Sequence, residues 1–124
     1  MRKRNTIGGG IGVDKISTLK VDKDCHVEKS LEEEWTQQTI AILLRHHVRV
    51  RWIKATRTRK GPHYYIRIDP SVDADTANRL QYLLGDDAKR VALNQARINS
   101  RLNDWNLLFE KSDARRRLLY IAAL

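Results

Sequence analysis

The chain has 124 residues, of which 41% are hydrophobic and 31% are charged, and its formal net charge is +9. This composition is typical of a globular domain and argues against a disordered chain. No apolar run is long enough to span a bilayer, and the N-terminal segment lacks the apolar core of a signal peptide. A single cysteine, Cys25, cannot form an intrachain disulfide and fits a reducing compartment. We therefore expect no membrane partner and a cytoplasmic location.

The N-terminal part of the chain predicts a tail followed by a strand. Residues 1–12 combine basic side chains with several glycines and predict a flexible basic tail ahead of a single domain, residues 13–124. Residues 16–22, ISTLKVD, predict a short strand. If that strand extends further, the carboxylates of Asp22 and Asp24 lie on one face, about 7 Å apart at the Cα atoms. Such a pair can bind Mg²⁺ or Mn²⁺ that carries phosphates, and the alternative is a polar turn before a helix.

A helix is predicted next. The sequence SLEE at residues 30–33 matches a capping box, and the following residues suit a helix that ends at His46. Its glutamates fall in the first turn, where they favour the helix dipole. Trp35, Thr39 and Ile42 recur at helical spacing, so one face of this helix should pack on a sheet.

Residues 48–69 predict a β-hairpin with a long loop, because two alternating runs flank the basic sequence ATRTRKG. Alternation places Val48, Val50 and Trp52 on the face that packs in the core, together with Tyr64, Ile66 and Ile68. The opposite face then presents Arg49, Arg51, Tyr65 and Arg67. The loop adds Arg57, Arg59 and Lys60, and His63 begins the second strand.

The charge of the chain is concentrated on this hairpin and its approach. Residues 35–68 contain eight Lys or Arg and no Asp or Glu. A merely solvated face is the alternative, but such a face would mix the two signs, so the block favours a surface that binds a polyanion. On this hypothesis the basic residues hold phosphates and Tyr65 stacks on a base. We expect no cofactor for a protein that only binds.

The second half predicts a series of short elements. Helices are predicted from Ala74 to Leu84, ended by Gly85, and from Ala88 to Leu102. The sequence WNLLF at residues 105–109 predicts a strand, and residues 113–124 predict a last helix with three arginines in its first turn. The order β-α-β-β-α-α-β-α predicts an α+β fold, with a small, mostly antiparallel sheet covered by helices on one face.

Two short motifs are similar to those of the archaeo-eukaryotic primases and primase-polymerases. VDKD at residues 21–24 resembles the Asp-x-Asp motif at the end of a strand, and TRKGPH at residues 58–63 resembles the loop that leads to a nucleotide-contacting histidine. The resemblance covers roughly residues 16–69. It implies a primase-palm-like or RRM-like sheet, with Asp22 and Asp24 as metal ligands and His63 as the triphosphate contact. LLGDDAKRVALNQAR and WNLLF also resemble small proteins of archaeal viruses and plasmids.

Three functions follow as hypotheses. The first is binding of DNA or RNA in replication or its control in a virus or mobile element, through Arg49, Arg51, Arg57, Arg59, Lys60, Tyr65 and Arg67. The second is a small primase-like nucleotidyltransferase, in which Asp22, Asp24 and His63 are catalytic and Mg²⁺ or Mn²⁺ is required. The third is a structural protein bound to RNA or packaged DNA. The sequence leaves open the kind of nucleic acid and the oligomeric state.

Overall fold

The chain forms four strands and three helices, as seen in a computed structural model that describes residues 15–23, 25–108 and 115–123. The predicted tail and Asp24 lie outside these residues. The strands pair only antiparallel, in the order β1-β3-β2-β4, which confirms the predicted α+β class. The elements are β1 Ile16–Asp22, α1 Lys29–Arg45, β2 Arg49–Thr58, β3 Gly61–Val72, α2 Ala74–Leu83, α3 Ala88–Asn99 and β4 Arg116–Ile121.

Local sequence explains most of the helix boundaries. The side chain of Asp73 accepts a hydrogen bond from the Thr76 amide at the start of α2, and Asp87 does the same for the Arg90 amide at the start of α3. Gly85, with φ +96°, follows the end of α2. The capping box predicted for α1 is wrong. The helix begins one residue before Ser30, and its N-cap residue Glu28 makes no side-chain hydrogen bond to the first turn.

One face of the sheet, here called the core face, packs beneath α1 and α2. Its side chains come from three strands and form a single buried cluster: Leu19, Val21, Val50, Ile53, Ala55, Tyr64, Ile66 and Ile68. Trp35 of α1 stacks on Tyr64 with 4.2 Å between ring centroids, and its indole N–H donates to the Leu84 carbonyl at 2.7 Å. Stacking and hydrogen bonding therefore join α1, α2 and β3 at one point.

The hairpin turn is tight, which corrects the prediction of a long loop. Strand pairing continues to Thr58 and Gly61, so that only Arg59 and Lys60 form the turn. The hydroxyl of Thr58 donates to the Gly61 carbonyl. A Cβ at Gly61, where φ is +139°, would lie 2.1 Å from the Lys23 carbonyl oxygen. Glycine is needed there because the chain after β1 crosses directly over the turn.

The C-terminal elements differ from the prediction. Residues 105–108 are not a strand; instead Trp105, 1% exposed, is buried in the core cluster. The region predicted as a last helix contains β4, which pairs with the outer edge of β2. Two residues of β4, Leu119 and Tyr120, are partly buried and pack against the core cluster. The local sequence of this segment favours a helix only weakly. Pairing with the free edge of β2 therefore determines its conformation as a strand.

Among the described residues, side chains rather than a further strand cover the outer edge of β1. The Lys20 amide donates to the Gln81 side chain at 2.9 Å, and the Asp22 amide donates to Asp86 at 2.9 Å. Arg90 donates to the Lys20 carbonyl at 3.2 Å. These contacts satisfy backbone groups that an exposed edge would leave open. No helix within the described residues is long and apolar enough to cross a membrane.

Candidate nucleic-acid interface

The face of the sheet opposite the core face is rich in cationic side chains and is called the charged face below. Residues directly opposite each other in antiparallel strands share a face, so the pairing registers define its rows. Its members run across the sheet in three rows: Asp22, His63, Thr56 and Arg116; Lys20, Tyr65, Lys54 and Leu118; and Thr18, Arg67, Trp52 and Ile121. Arg49 and Asp69, paired beyond the third row, extend it.

A β-bulge in β2 places Trp52 on the charged face. The register between β2 and β3 shifts between Val50 and Trp52, which leaves Arg51 as the additional residue. Val50 is on the core face, but Trp52 pairs with Arg67 and is only partly buried, while Ile53 is fully buried in its place. The prediction that Trp52 packs in the core is therefore wrong. The two-residue alternation used for the prediction holds only as far as Val50. The additional residue Arg51 then moves every later side chain of β2 to the face opposite the predicted one.

Tyr65 lies on the predicted face but is not exposed as expected. Its relative exposure is 4%, and the guanidinium carbon of Arg116 lies 3.8 Å above its ring centroid. Lys20 and Lys54 are its neighbours on the two adjacent strands. The ring of Tyr65 therefore has a cation–π partner on the surface where a base was predicted to stack.

A groove of about 740 Å³ lies beside Trp52 at one end of the charged face. Arg49, Arg51 and Arg67 line it, together with Trp52 and Ile121. Arg49 and Arg67 are exposed, as predicted. Arg51 forms an ion pair of 3.8 Å with Asp69, in which the two side chains are 52% and 65% exposed. Such an exposed pair is weak, so Arg51 keeps most of its capacity to bind another anion.

The opposite end of the charged face contains the pair suggested by the primase resemblance. Nε2 of His63 lies 3.5 Å from a carboxylate oxygen of Asp22, because the two residues are direct partners in the β1–β3 pairing. His63 is buried, and the Asp22 carboxylate is partly buried. Asp24 lies outside the described residues, and within the described part of the chain no group of three His, Cys, Asp or Glu side chains could hold a metal ion.

The remaining predicted basic residues do not lie on the charged face proper. Arg57 alternates to the core-face side, where it lines a cavity with Glu32 and Arg117 near the start of α1. Arg59 and Lys60 are exposed at the tip of the hairpin turn. The hairpin thus divides its predicted cations between the charged face, the turn and the α1 side.

Four residues of the charged face were not predicted from the sequence. Lys20, Lys54, Trp52 and Arg116 all face the same side as Arg67. Strand alternation marks Lys20 as opposite to Leu19 and Val21, so its position could have been found. Trp52 and Lys54 depend on the bulge, and Arg116 depends on β4, which the sequence pattern did not reveal.

Comparison with protein-family models, curated proteins and solved structures gave no match for this chain.

Proposed function

We propose that the charged face binds DNA or RNA, as part of replication or its control in a virus or mobile element. The observation that carries this proposal is the groove in which Arg49, Arg51 and Arg67 surround Trp52. Arginine donates to phosphate oxygens in a fixed fork, and an aromatic ring among arginines suits a ligand that has both phosphates and bases. Replication as the setting rests on the primase resemblance alone. A structural role on RNA or packaged DNA would use the same surface.

Three double variants test where the nucleic acid binds, and each removes two positive charges. Arg49→Gln with Arg67→Gln changes the charged face, and Arg59→Gln with Lys60→Gln changes the turn. Arg45→Gln with Arg79→Gln is the matched control, because both residues are exposed on helices α1 and α2. Affinity is measured against salt concentration for single-stranded DNA, duplex DNA and RNA.

The slope of log K against log salt is negative, and each neutralised phosphate makes it steeper by roughly 0.7 to 0.9. We expect the charged-face variant to make this slope shallower by about one to two units, because two arginines are lost. The control variant should leave the slope within error. Equal effects of the charged-face variant and the control would mean that net charge alone drives binding. A loss confined to the turn variant would move the site to Arg59 and Lys60.

A second candidate is the primase-like nucleotidyltransferase, because strand pairing places Asp22 and His63, the residues named by the primase resemblance, next to each other. On that hypothesis Asp22 and Asp24 bind Mg²⁺ or Mn²⁺ and His63 contacts the triphosphate. The same samples, given nucleotides and either metal, distinguish the two functions. We expect no incorporation, because the His63 ring is buried against Asp22 rather than open to a triphosphate. Template-dependent synthesis that Asp22→Asn abolishes would establish the enzyme instead.

A further inference from the structure

We propose that the ligand of the charged face is single-stranded and that one unpaired base packs on the Trp52 ring. Arg49, Arg51 and Arg67 would then hold the phosphates on either side of that base. This inference rests on the proposed function and goes beyond it, because it selects unpaired nucleotides over duplex. The groove of about 740 Å³ is within the range of sites that enclose small molecules, so it can accommodate a nucleotide.

The apolar surface beside Trp52 distinguishes single strands from duplex. Ile121 pairs with Trp52 across the β2–β4 ladder and is 65% exposed, and Leu118 in the next row is 54% exposed. A duplex keeps its bases stacked inside and presents phosphates, which need only the arginines. An unpaired base offers a π-face that packs on an aromatic ring and on aliphatic side chains.

Trp52 is the aromatic residue suited to this contact. Trp105 is buried in the core, and Trp35 is stacked on Tyr64 and bonded to the Leu84 carbonyl. The ammonium group of Lys54 lies 4.5 Å from the Trp52 ring centroid. That lysine has a flexible stem and can exchange the ring for a phosphate, since an exposed cation–π contact is weaker than base stacking.

The experiment compares Trp52→Leu and Trp52→Phe with the unmodified chain. Ligands are single-stranded DNA and RNA oligonucleotides and a blunt DNA duplex of equal length. We expect Trp52→Leu to weaken single-strand binding by about 5-fold to 100-fold, the loss that one stacked base produces. The salt slope should stay unchanged, because no phosphate contact is removed. Trp52→Phe should retain most of the affinity, and duplex binding should be the same in all three proteins.

Tryptophan fluorescence gives an independent measurement. A single strand should quench emission of the unmodified protein more than that of Trp52→Phe, in which Trp35 and Trp105 remain. The inference is overturned if Trp52→Leu leaves single-strand affinity unchanged, or lowers single-strand and duplex affinity equally, while the Arg49 and Arg67 variant still reduces the salt slope. In that result the proposed function stands. If no ligand binds in a salt-dependent manner, the proposed function itself fails.

Discussion

At the scale of single residues, Tyr64 shows how a buried polar group ties the sheet to a helix. Its hydroxyl donates to Glu32 at 2.7 Å, and Arg117 donates to the same carboxylate at 3.2 and 3.3 Å. Alternation in the sequence predicted Tyr64 in the core. The partner could not be predicted, because a glutamate in the first turn of a helix is already explained by the helix dipole.

This hydrogen bond leads to a prediction about alkaline pH. Burial, and then the bond to Glu32, raise the pKa of Tyr64 well above its ordinary value. Above about pH 10 only the unfolded chain loses this proton, so the free energy of unfolding falls by up to about 1.4 kcal/mol per pH unit. At pH 7 Tyr64→Phe should cost about 1.5–3 kcal/mol, the typical value of a hydrogen bond to a charged group.

Urea unfolding at several pH values checks this prediction. The difference in stability between the unmodified protein and Tyr64→Phe should narrow as the pH rises beyond 10, because the variant lacks the titrating group. Tyr82→Phe is the matched control, because it removes a tyrosine hydroxyl that is exposed instead of buried against Glu32. A difference that stays constant between pH 7 and 11 would contradict the assignment.

At the scale of elements, the bulge at Arg51 decides what the hairpin presents on each side. The sequence indicated two strands, and the second strand has the predicted faces. The first strand changes face after Val50, and strict alternation has no signal for an additional residue. The same limit applies to β4. A run of arginines followed by LLYI carries no clear period, and the strand forms because β2 offers an edge to pair with.

The bulge makes a direct prediction about stability. Ile53→Ala should destabilise the protein by about 2–5 kcal/mol, because Ile53 is fully buried on the core face. Trp52→Leu should cost less than about 1.5 kcal/mol, since Trp52 is partly exposed on the opposite face and lies outside the buried core cluster. Urea unfolding of both variants measures the difference. A larger loss for Trp52→Leu would mean that β2 alternates without a bulge.

At the scale of the whole molecule, the two edges of the sheet are protected from pairing with other chains in different ways. β4 is a short edge strand with arginines at its start and a shifted register beside β2, features that discourage pairing with other chains. The β1 edge is covered by a polar cluster from α2, α3 and the segment that follows α3. Asp86 precedes α3 and Arg90 lies in its first turn, but no pattern in the sequence indicated that the two would be buried together against a strand.

Arg90 is the centre of that cluster. It forms an ion pair with Asp86, and it donates to the carbonyls of Leu107 at 3.0 Å and Lys20 at 3.2 Å, and to the side chain of Asn106. Burial raises the pKa of Asp86 and lowers that of Arg90, so both charges are costly to bury. The attraction between the two charges does not by itself account for their burial. Their side chains also form hydrogen bonds with backbone groups of β1 and of the segment after α3.

Removing the guanidinium should therefore destabilise the entire domain. Arg90→Met leaves the Asp86 carboxylate buried without its counter-charge, and we expect a loss of about 3–5 kcal/mol in the free energy of unfolding. Lys89→Met, one residue earlier on α3 and exposed, should change it by less than about 0.5 kcal/mol. Adding Asp86→Asn to Arg90→Met should recover part of the loss, because no unpaired charge then remains buried while the amide oxygen can still accept from the Asp22 amide. If the double variant is less stable than Arg90→Met alone, the cost lies in lost hydrogen bonds to β1 and not in the buried charge.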